Sequence, residues 1–451
     1  MLRRPLWLLH LLLAASVCLA QAPSSATDYL NRGRARHLNG EFAGAISDFT
    51  KAIELDPKLT KAYIGRCSAR ADKGELASAL PDCNKAVELA PHLAEGYANR
   101  CHLWLIKSDF DAALIDCNKA IELDPQLALS YFNRGTVKQA RGDLDAALAD
   151  FNKAIELDPQ DHNAFVNRGA LKAERGALDG AITDYTKAIE LAPLMAEAFA
   201  NRCDAKSEKG DLDSALADCN KAIEINPNFH FAYLARALTR WRKDNVDGAI
   251  ADYSKAIQLD PKDAVAYANR CQLRSIKDDF AGALTDCDRA IKLDPTMAGA
   301  YFSRGVAKDR KDNLDGALAD LTKAIELDPR LANVHRERGW LRVSKDDLEG
   351  ALADFDQAIE HDSRDAMAYL GRGSVRYDRG AFNGAIADLT VSIALKPENA
   401  PAYWMRGLAR LQLHDDVPAE QDLKRCLALD PSLKPRVEKM VDEIKRQRPP
   451  K

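Results

Sequence analysis

The sequence predicts an all-α fold made of twelve copies of a 34-residue helix–turn–helix unit. Proline ends eleven of the twelve units, and Ser363 takes its place in the other one. These prolines are Pro57, Pro91, Pro125, Pro159, Pro193, Pro227, Pro261, Pro295, Pro329, Pro397 and Pro431. Self-similarity at a fixed period indicates a repeat architecture, in which each unit buries its apolar face against the next. One elongated array therefore replaces the separate globular domains that 451 residues would otherwise suggest.

Composition and charge indicate a soluble, helix-rich protein. Charged residues make up 29% of the sequence and hydrophobic residues 46%, which is not the composition of a disordered chain. The formal net charge is −4, and it becomes −6 without Arg3 and Arg4 of the N-terminal segment. This negative balance argues against a general nucleic-acid binder and against a binder of anionic membranes.

Residues 1–20 have the three parts of a secretory signal peptide. Arg3 and Arg4 precede an apolar run over residues 6–17, and small residues end the segment before a predicted cleavage between Ala20 and Gln21. The apolar run is short for a transmembrane helix, which needs about 20 residues. Export to the periplasm or the exterior is therefore predicted, and an uncleaved segment that tethers the protein to a membrane is the alternative.

The form of this leader favours bacterial export, with a eukaryotic secretory route left open. Val17, just before Cys18, is bulkier than a lipoprotein cleavage site accepts, so export without a lipid anchor is predicted. Residues 21–25 form a short linker to the first repeat.

Each repeat contains two helical stretches joined by a turn. With Pro57 counted as position 32, the repeats begin at Ala26, Thr60, Ala94, Ala128, His162, Ala196, His230, Ala264, Ala298, Ala332, Ala366 and Ala400. The first stretch has an aromatic residue at position 4 in every repeat except at His335, and Gly, Asp and Asn are common in the turn near positions 14–16. The second stretch has Ala at position 20 in all twelve repeats, and the proline ends it because proline cannot continue the helical hydrogen bonds.

The array needs a polar cap at its end. Residues 434–447 are predicted to form a C-terminal capping helix, followed by a tail over residues 448–451. One stripe of this helix is apolar, with Val437, Met440, Val441 and Ile444.

Arg occupies position 7 and Asp position 23 in all twelve repeats. Positions that sum to about 30 face each other in an antiparallel helical hairpin, so each Arg is expected to meet the Asp of its own repeat. A residue that is identical in every repeat serves the repeat, which favours a structural ion pair over an anion-binding ladder. Position 11 is Lys or Arg except at Trp104, and the sequence leaves open whether these cations contact the Asp or solvent.

Eight cysteines fall in pairs at positions 8 and 24 of four repeats, which face each other by the same rule. The pairs are Cys67 with Cys83, Cys101 with Cys117, Cys203 with Cys219, and Cys271 with Cys287. One disulfide in each repeat explains this co-occurrence, whereas a role as small buried hydrophobes explains only single positions. A metal site is disfavoured because two thiolates are too few for tetrahedral coordination. Disulfides agree with the predicted export, and Cys426 is expected to be a buried free thiol.

Residues 26–433 resemble the tetratricopeptide repeat family. The resemblance is to the variant with Tyr-x-Asn-Arg-Gly in the first helix and a second helix such as that ending in Lys153-Ala154-Ile155-Glu156-Leu157-Asp158-Pro159. It implies a right-handed α-solenoid of twelve repeats, with the first helices lining a concave face. It also implies binding of peptides or partner proteins.

The resemblance suggests a set of peptide-binding residues on that face. Position 6 is Asn in six repeats, and its amide can bind a peptide backbone without reading the sequence; the alternative is that these amides are exposed and idle. They are Asn31, Asn99, Asn133, Asn167, Asn201 and Asn269. Trp241, Trp340 and Tyr377, with Trp404, are expected to form an aromatic C-terminal half of the groove.

The leading hypothesis is a non-catalytic exported scaffold that binds an extended peptide or partner protein along the concave face. The alternative is a structural or envelope-assembly component that acts by self-association or by attachment to a membrane complex. Catalytic, cofactor and metal sites are not expected, because the sequence contains no phosphate-binding loop and no metalloprotease motif. His102 and His335 are interpreted as groove or packing residues.

Overall fold

The computed structural model describes residues 24–447, which form 25 α-helices and no strand. The helices follow one another in pairs, so the predicted all-α repeat fold is confirmed. The predicted signal peptide, its cleavage site and the tail over residues 448–451 lie outside the described residues. Within residues 24–447, every helix is too short or too polar to cross a membrane.

The first of two compact units ends at Ile225 and contains six helical hairpins. Its helices are α1 (Ala26–Leu38), α2 (Phe42–Leu55), α3 (Thr60–Asp72), α4 (Leu76–Leu89), α5 (Ala94–Ile106), α6 (Phe110–Leu123), α7 (Ala128–Ala140), α8 (Leu144–Leu157), α9 (His162–Glu174), α10 (Leu178–Leu191), α11 (Ala196–Lys209) and α12 (Leu212–Ile225).

The second unit begins at Asn226 and contains six hairpins and a C-terminal helix. Its helices are α13 (His230–Arg242), α14 (Val246–Leu259), α15 (Ala264–Ile276), α16 (Phe280–Leu293), α17 (Ala298–Asp309), α18 (Leu314–Leu327), α19 (Ala332–Ser344), α20 (Leu348–His361), α21 (Ala366–Asp378), α22 (Phe382–Leu395), α23 (Ala400–Gln412), α24 (Asp416–Leu429) and α25 (Lys434–Gln447).

The turn inside each hairpin requires a left-handed backbone at position 15. Six repeats have Gly there, as at Gly142 with φ 80°, and six have another residue, as at Asp278 with φ 59°. Asp tolerates this conformation better than most side chains, but glycine adopts it without steric cost. The left-handed backbone of the turn is therefore adopted by glycine in six repeats and by another residue in the other six.

Small residues allow the two helices of a hairpin to approach closely. Ala at position 20 is fully buried in all twelve repeats. In the tenth repeat, a methyl group on Gly339 would come within 2.8 Å of the ring of Phe355, at position 24. Glycine at position 8 therefore leaves room for the ring across this hairpin, and in the seventh repeat Ala237 takes this place opposite Tyr253.

The four cysteine pairs replace this glycine–aromatic contact. The sulfur atoms are bonded between Cys67 and Cys83, Cys101 and Cys117, Cys203 and Cys219, and Cys271 and Cys287. The Cα atoms of each pair lie 5.4 or 5.5 Å apart, as a disulfide requires. Cys426 is buried and free.

The Arg at position 7 and the Asp at position 23 form an ion pair in every repeat. In the fourth repeat, Arg134 donates two hydrogen bonds to Asp150, at 2.8 and 2.7 Å, and its third nitrogen donates to Asn118 of the preceding repeat. These Asp residues are between 1% and 5% exposed. Because these guanidinium donors are occupied, the structural interpretation holds and the anion-binding ladder is wrong.

The cation at position 11 completes this network. Lys138 contacts the second oxygen of Asp150 at 2.7 Å, and the other Lys and Arg residues at this position make the same contact in their own repeats. In the third repeat the indole of Trp104 donates to Asp116 at 3.0 Å instead. Two donors or cations thus compensate each buried carboxylate, which burial alone would penalise.

Helix α25 covers the open end of the last hairpin. Val437 and Ile444 are buried against Trp404, Leu408 and Cys426, and Met440 and Val441 pack around them. This is the apolar stripe expected from the sequence.

Candidate functional site

The first helices of neighbouring repeats pack against each other within each unit, as α15 does with α17 and α21 with α23. They therefore form the inner face of the stack. Two cavities open on the inner face of the second unit, where the residues vary from repeat to repeat. We call them the groove cavity and the aromatic pocket.

The groove cavity lies between α15, α17 and α19 and encloses about 540 Å³. Its apolar wall is formed by Ile276, Phe280, Phe302 and Val306. Ile276 is 54% exposed, although it is a large apolar residue. A cavity of this volume and mixed lining is within the range of ligand-binding sites in proteins.

The aromatic pocket lies at the C-terminal end of the same face and encloses about 310 Å³. It is lined by Trp340 of α19, Tyr377 of α21 and Trp404 of α23, and α25 closes one side with Arg436 and Met440. The structure therefore brings together three aromatic residues that the sequence places on three different repeats.

Neighbouring rings hold two of these aromatic side chains in place. Trp340 packs edge-on against Phe355, with 5.3 Å between the ring centroids, and Tyr377 packs against Phe382 at 5.5 Å. Trp404 is only 8% exposed, so it belongs to the core of the last repeat as well as to the pocket wall. Packing thus fixes the aromatic wall of the pocket.

Two opposite charges stand at the edge of the aromatic pocket. The guanidinium carbon of Arg436 lies 4.8 Å from the centroid of the Trp404 ring. Asp378 lines the same pocket, and partial burial raises the pKa of its carboxyl group. Among residues 24–447, burial is the one described influence on the pKa of Asp378, and the described contact of Arg436 is with the Trp404 ring.

The asparagines at position 6 do not form one uniform row. Asn133, predicted to bind a peptide, is instead buried and donates to the carbonyl of Ala98 at 3.0 Å, so this donor is used inside the stack. Asn99 donates to Glu95 and accepts from Ser68. The reason is that position 6 faces the preceding repeat, as the contact of Gly371 with Phe355 shows.

The other four asparagines are more accessible. Asn31 is exposed in the first repeat, which has no preceding repeat among the described residues. Asn167, Asn201 and Asn269 are half-buried, and their amides form no hydrogen bond with other residues in the range 24–447. These three amides retain the hydrogen-bonding capacity that the sequence hypothesis requires.

The aromatic residues predicted for the groove also differ in position. Trp340 and Tyr377 meet in the aromatic pocket, whereas Trp241 is half-buried in the seventh repeat and does not line it. The sequence did not identify Asp378, Arg436 or Ile276. Asp378 and Ile276 both stand at position 13, and the variation of this position between repeats could have indicated a role in binding. Nothing in the sequence indicated that Arg436 of α25 lines a pocket.

The periodic hairpins and their inner face define a helical repeat protein of the solenoid class. Three models of the tetratricopeptide repeat match the chain, the first over residues 128–161 and 196–229. The second matches residues 277–332 and 336–400, and the third matches residues 29–59 and 232–263. Together these matches cover more than half of the chain, which therefore belongs to the tetratricopeptide repeat family. Comparison with curated proteins gives no match.

Solved structures with related folds include one that matches the whole array. The crystal structure of the APC/C hetero-tetramer Cut9-Hcn1 is similar with a TM-score of 0.53 and 15% identity, over 96% of this chain and 98% of that chain. A tetratricopeptide repeat protein from Parabacteroides merdae ATCC 43184 is 24% identical over 52% of this chain and 93% of its own, with a TM-score of 0.43. YrrB, described as a TPR protein with an unusual peptide-binding site, is 26% identical over 41% and 95%, with a TM-score of 0.35.

Proposed function

We propose that this protein is a non-catalytic exported scaffold that binds an extended segment of a polypeptide partner along the inner face of its second unit. The observation that carries the proposal is the contrast between fixed and variable residues. The Arg, Asp and Cys residues that recur at fixed positions are used in ion pairs and disulfides inside the repeats. The variable residues line the two cavities.

The chemistry of the groove cavity suits a polypeptide. Its apolar wall can bury an apolar side chain, and burial of one such side chain contributes about 1.5–3 kcal/mol. Gln272 and Ser275 on α15 add polar groups that can bond a peptide backbone. Asn269 stands on the same helix with a free amide.

Export is the second part of the proposal. The leader sequence and the four cysteine pairs are independent features, and both suit an oxidising compartment. Both features support a location in the periplasm or outside the cell as part of the proposal, and tethering by an uncleaved leader is the alternative.

The binding function is tested with peptides selected from a random 12-residue display library on the immobilised chain. We expect Ile276→Glu to weaken binding of the selected peptides at least tenfold in fluorescence anisotropy, because it places a charge in the apolar wall. Ile115→Glu is the matched control, since Ile115 is 70% exposed on the second helix of the third repeat. This control should bind like the unmodified chain.

Two results would count against the binding proposal. One is that no peptide is enriched over a blank surface. The other is that both variants bind equally, which would place the peptides elsewhere. A mass in light scattering that grows with protein concentration would instead favour the structural, self-associating alternative.

A further inference from the structure

The aromatic pocket has a feature that the groove cavity lacks, namely a carboxylate without a cation partner beside three aromatic rings. Asp378 stands at the rim, and Trp340, Tyr377 and Trp404 form the wall. Aromatic faces carry negative electrostatic potential and attract cations, most strongly when the cation is partly desolvated. The fixed groups of the wall and rim are thus complementary to positive charge.

The chain itself shows which group the wall accepts. Arg436 of α25 places its guanidinium over the Trp404 ring at 4.8 Å. Arg436 is exposed, and the described contact of its charged end is with the Trp404 ring. An incoming cation would compete with Arg436 for this ring.

We propose that the aromatic pocket binds the side chain of an arginine or lysine from the polypeptide partner. Its aliphatic stem packs on Trp340 and Tyr377, its charged end lies towards Asp378, and it displaces Arg436 from the Trp404 ring. This inference rests on the proposed function and adds the chemical class of one bound side chain. Asp378 would repel an acidic side chain whereas Arg436 would attract one, so a glutamate probe is included in the test.

Partial burial raises the pKa of Asp378, and this agrees with a carboxylate that lacks a neutralising cation. The pocket volume of about 310 Å³ also suits one long side chain better than a folded domain. The observations therefore favour a single basic side chain as the occupant.

The test uses a small probe, so that it does not depend on finding the natural partner. The chain is labelled with 5-fluorotryptophan, and fluorine NMR follows its tryptophans during titration with N-acetyl-arginine methylamide. The neutral isostere N-acetyl-citrulline methylamide and the N-acetyl-glutamate methylamide serve as comparison probes. The resonances of Trp340 and Trp404 are assigned by single replacement with Phe.

We expect the arginine probe to shift the Trp340 and Trp404 resonances in a saturable manner and to leave Trp104 unchanged. Asp378→Asn should weaken this binding about fivefold or more, because it removes the carboxylate and keeps the shape. Asp346→Asn, on the turn of the tenth repeat, is the control with the same change in charge and should have no effect. Arg436→Ala should tighten binding about twofold or more by removing the internal competitor.

Equal shifts with citrulline, stronger binding of the glutamate probe, or unchanged affinity in Asp378→Asn would overturn the proposal. Weaker binding of the arginine probe after Arg436→Ala would also overturn it, since Arg436 would then support the bound cation instead of competing with it. Shifts of the same resonances with protein concentration alone would identify a second copy of the chain as the occupant and contradict the proposal. Because no selected peptide is used, these results are independent of the Ile276 experiment.

Discussion

The third and tenth repeats fill the same space between their two helices in different ways. In the third, a bond joins Cys101 and Cys117 across a Cα distance of 5.4 Å. In the tenth, Gly339 leaves room for the ring of Phe355, and a single added methyl would come within 2.8 Å of that ring. A ring at position 24 is accommodated by a small residue at position 8, which is glycine here and alanine in the seventh repeat. The paired replacement of both positions therefore has a packing cause as well as a covalent one.

The two units of the molecule differ in the number of repeats that contain a disulfide. The first unit has three disulfide repeats out of six, and the second has one out of six. Both types keep the same buried ion pair. We expect the ion pair to be the contribution common to all repeats, and the disulfide to be an addition that depends on the compartment.

The largest effect is expected from the ion pair itself. Asp354→Ala in the tenth repeat removes a buried carboxylate that Arg338 and Arg342 both contact, and the loss should be about 3–5 kcal/mol in the free energy of unfolding, measured by urea denaturation. Asp356→Ala is the matched control, because its carboxylate is 54% exposed and its pair with Arg372 should contribute less than about 1 kcal/mol. Similar losses in both variants would contradict this account.

The carboxyl group of Asp354 should also make the stability of the folded chain depend on pH. Burial would raise the pKa of Asp354, but contacts with His335, Arg338 and Arg342 outweigh it and hold the pKa below its ordinary value. The folded chain therefore binds fewer protons here than the unfolded chain, and the stabilisation is present above a pH of about 4. It should be lost as the pH falls through the lowered pKa. In a plot of the free energy of unfolding against pH, the decrease at acid pH should therefore be less steep in Asp354→Ala than in the unmodified chain.

Reduction of the disulfides should distinguish the two types of repeat. Each bond closes a loop with a sequence separation of 16 and is expected to contribute about 3 kcal/mol on the chain-entropy model. Under a phosphine reductant, hydrogen exchange should accelerate in α5 and α6 and stay unchanged in α19 and α20. Equal acceleration in both hairpins would show that the bonds do not act locally.

Replacing the cysteine pair of the third repeat with glycine and an aromatic residue tests whether the two positions are coupled by packing. Cys117→Phe alone should destabilise the third repeat by about 1–3 kcal/mol beyond the loss of its disulfide, because the ring meets the side chain of Cys101. Cys101→Gly combined with Cys117→Phe should recover that extra loss under reducing conditions. A double variant no more stable than the single one would mean that the two positions are not coupled.

The smallest effect concerns the hairpin turns. Asp278→Gly should raise the free energy of unfolding by up to about 1 kcal/mol, since φ is 59° at this position and glycine adopts it freely. Gly142→Asp in the fourth repeat is the reverse change and should lower stability by a similar amount. Calorimetry on both variants checks the sign.

Most of the fold could be predicted because the period constrains every repeat at once. The boundaries of the hairpins and the facing of Arg134 and Asp150 follow from the geometry of one antiparallel pair. The facing of the position 8 and position 24 cysteines follows in the same way.

The candidate site was predicted only in part, because it depends on how one repeat packs on the next. Asn133 was assigned to the groove, but the packing of neighbouring first helices turns its side chain into the interface with the preceding repeat. The aromatic pocket requires the position of α25, which lies outside the period. The free carboxylate of Asp378 is visible only when its neighbours are known.

The most direct test of the two kinds of repeat is an intact mass of the chain from its native host, denatured and alkylated without reduction. We predict a chain that begins at Gln21 with one alkylated thiol, that of Cys426, and four disulfides. A retained leader with all nine cysteines of residues 21–451 alkylated would contradict the disulfides and the export together, and the four cysteine repeats would then be held by packing and ion pairs without a covalent bond.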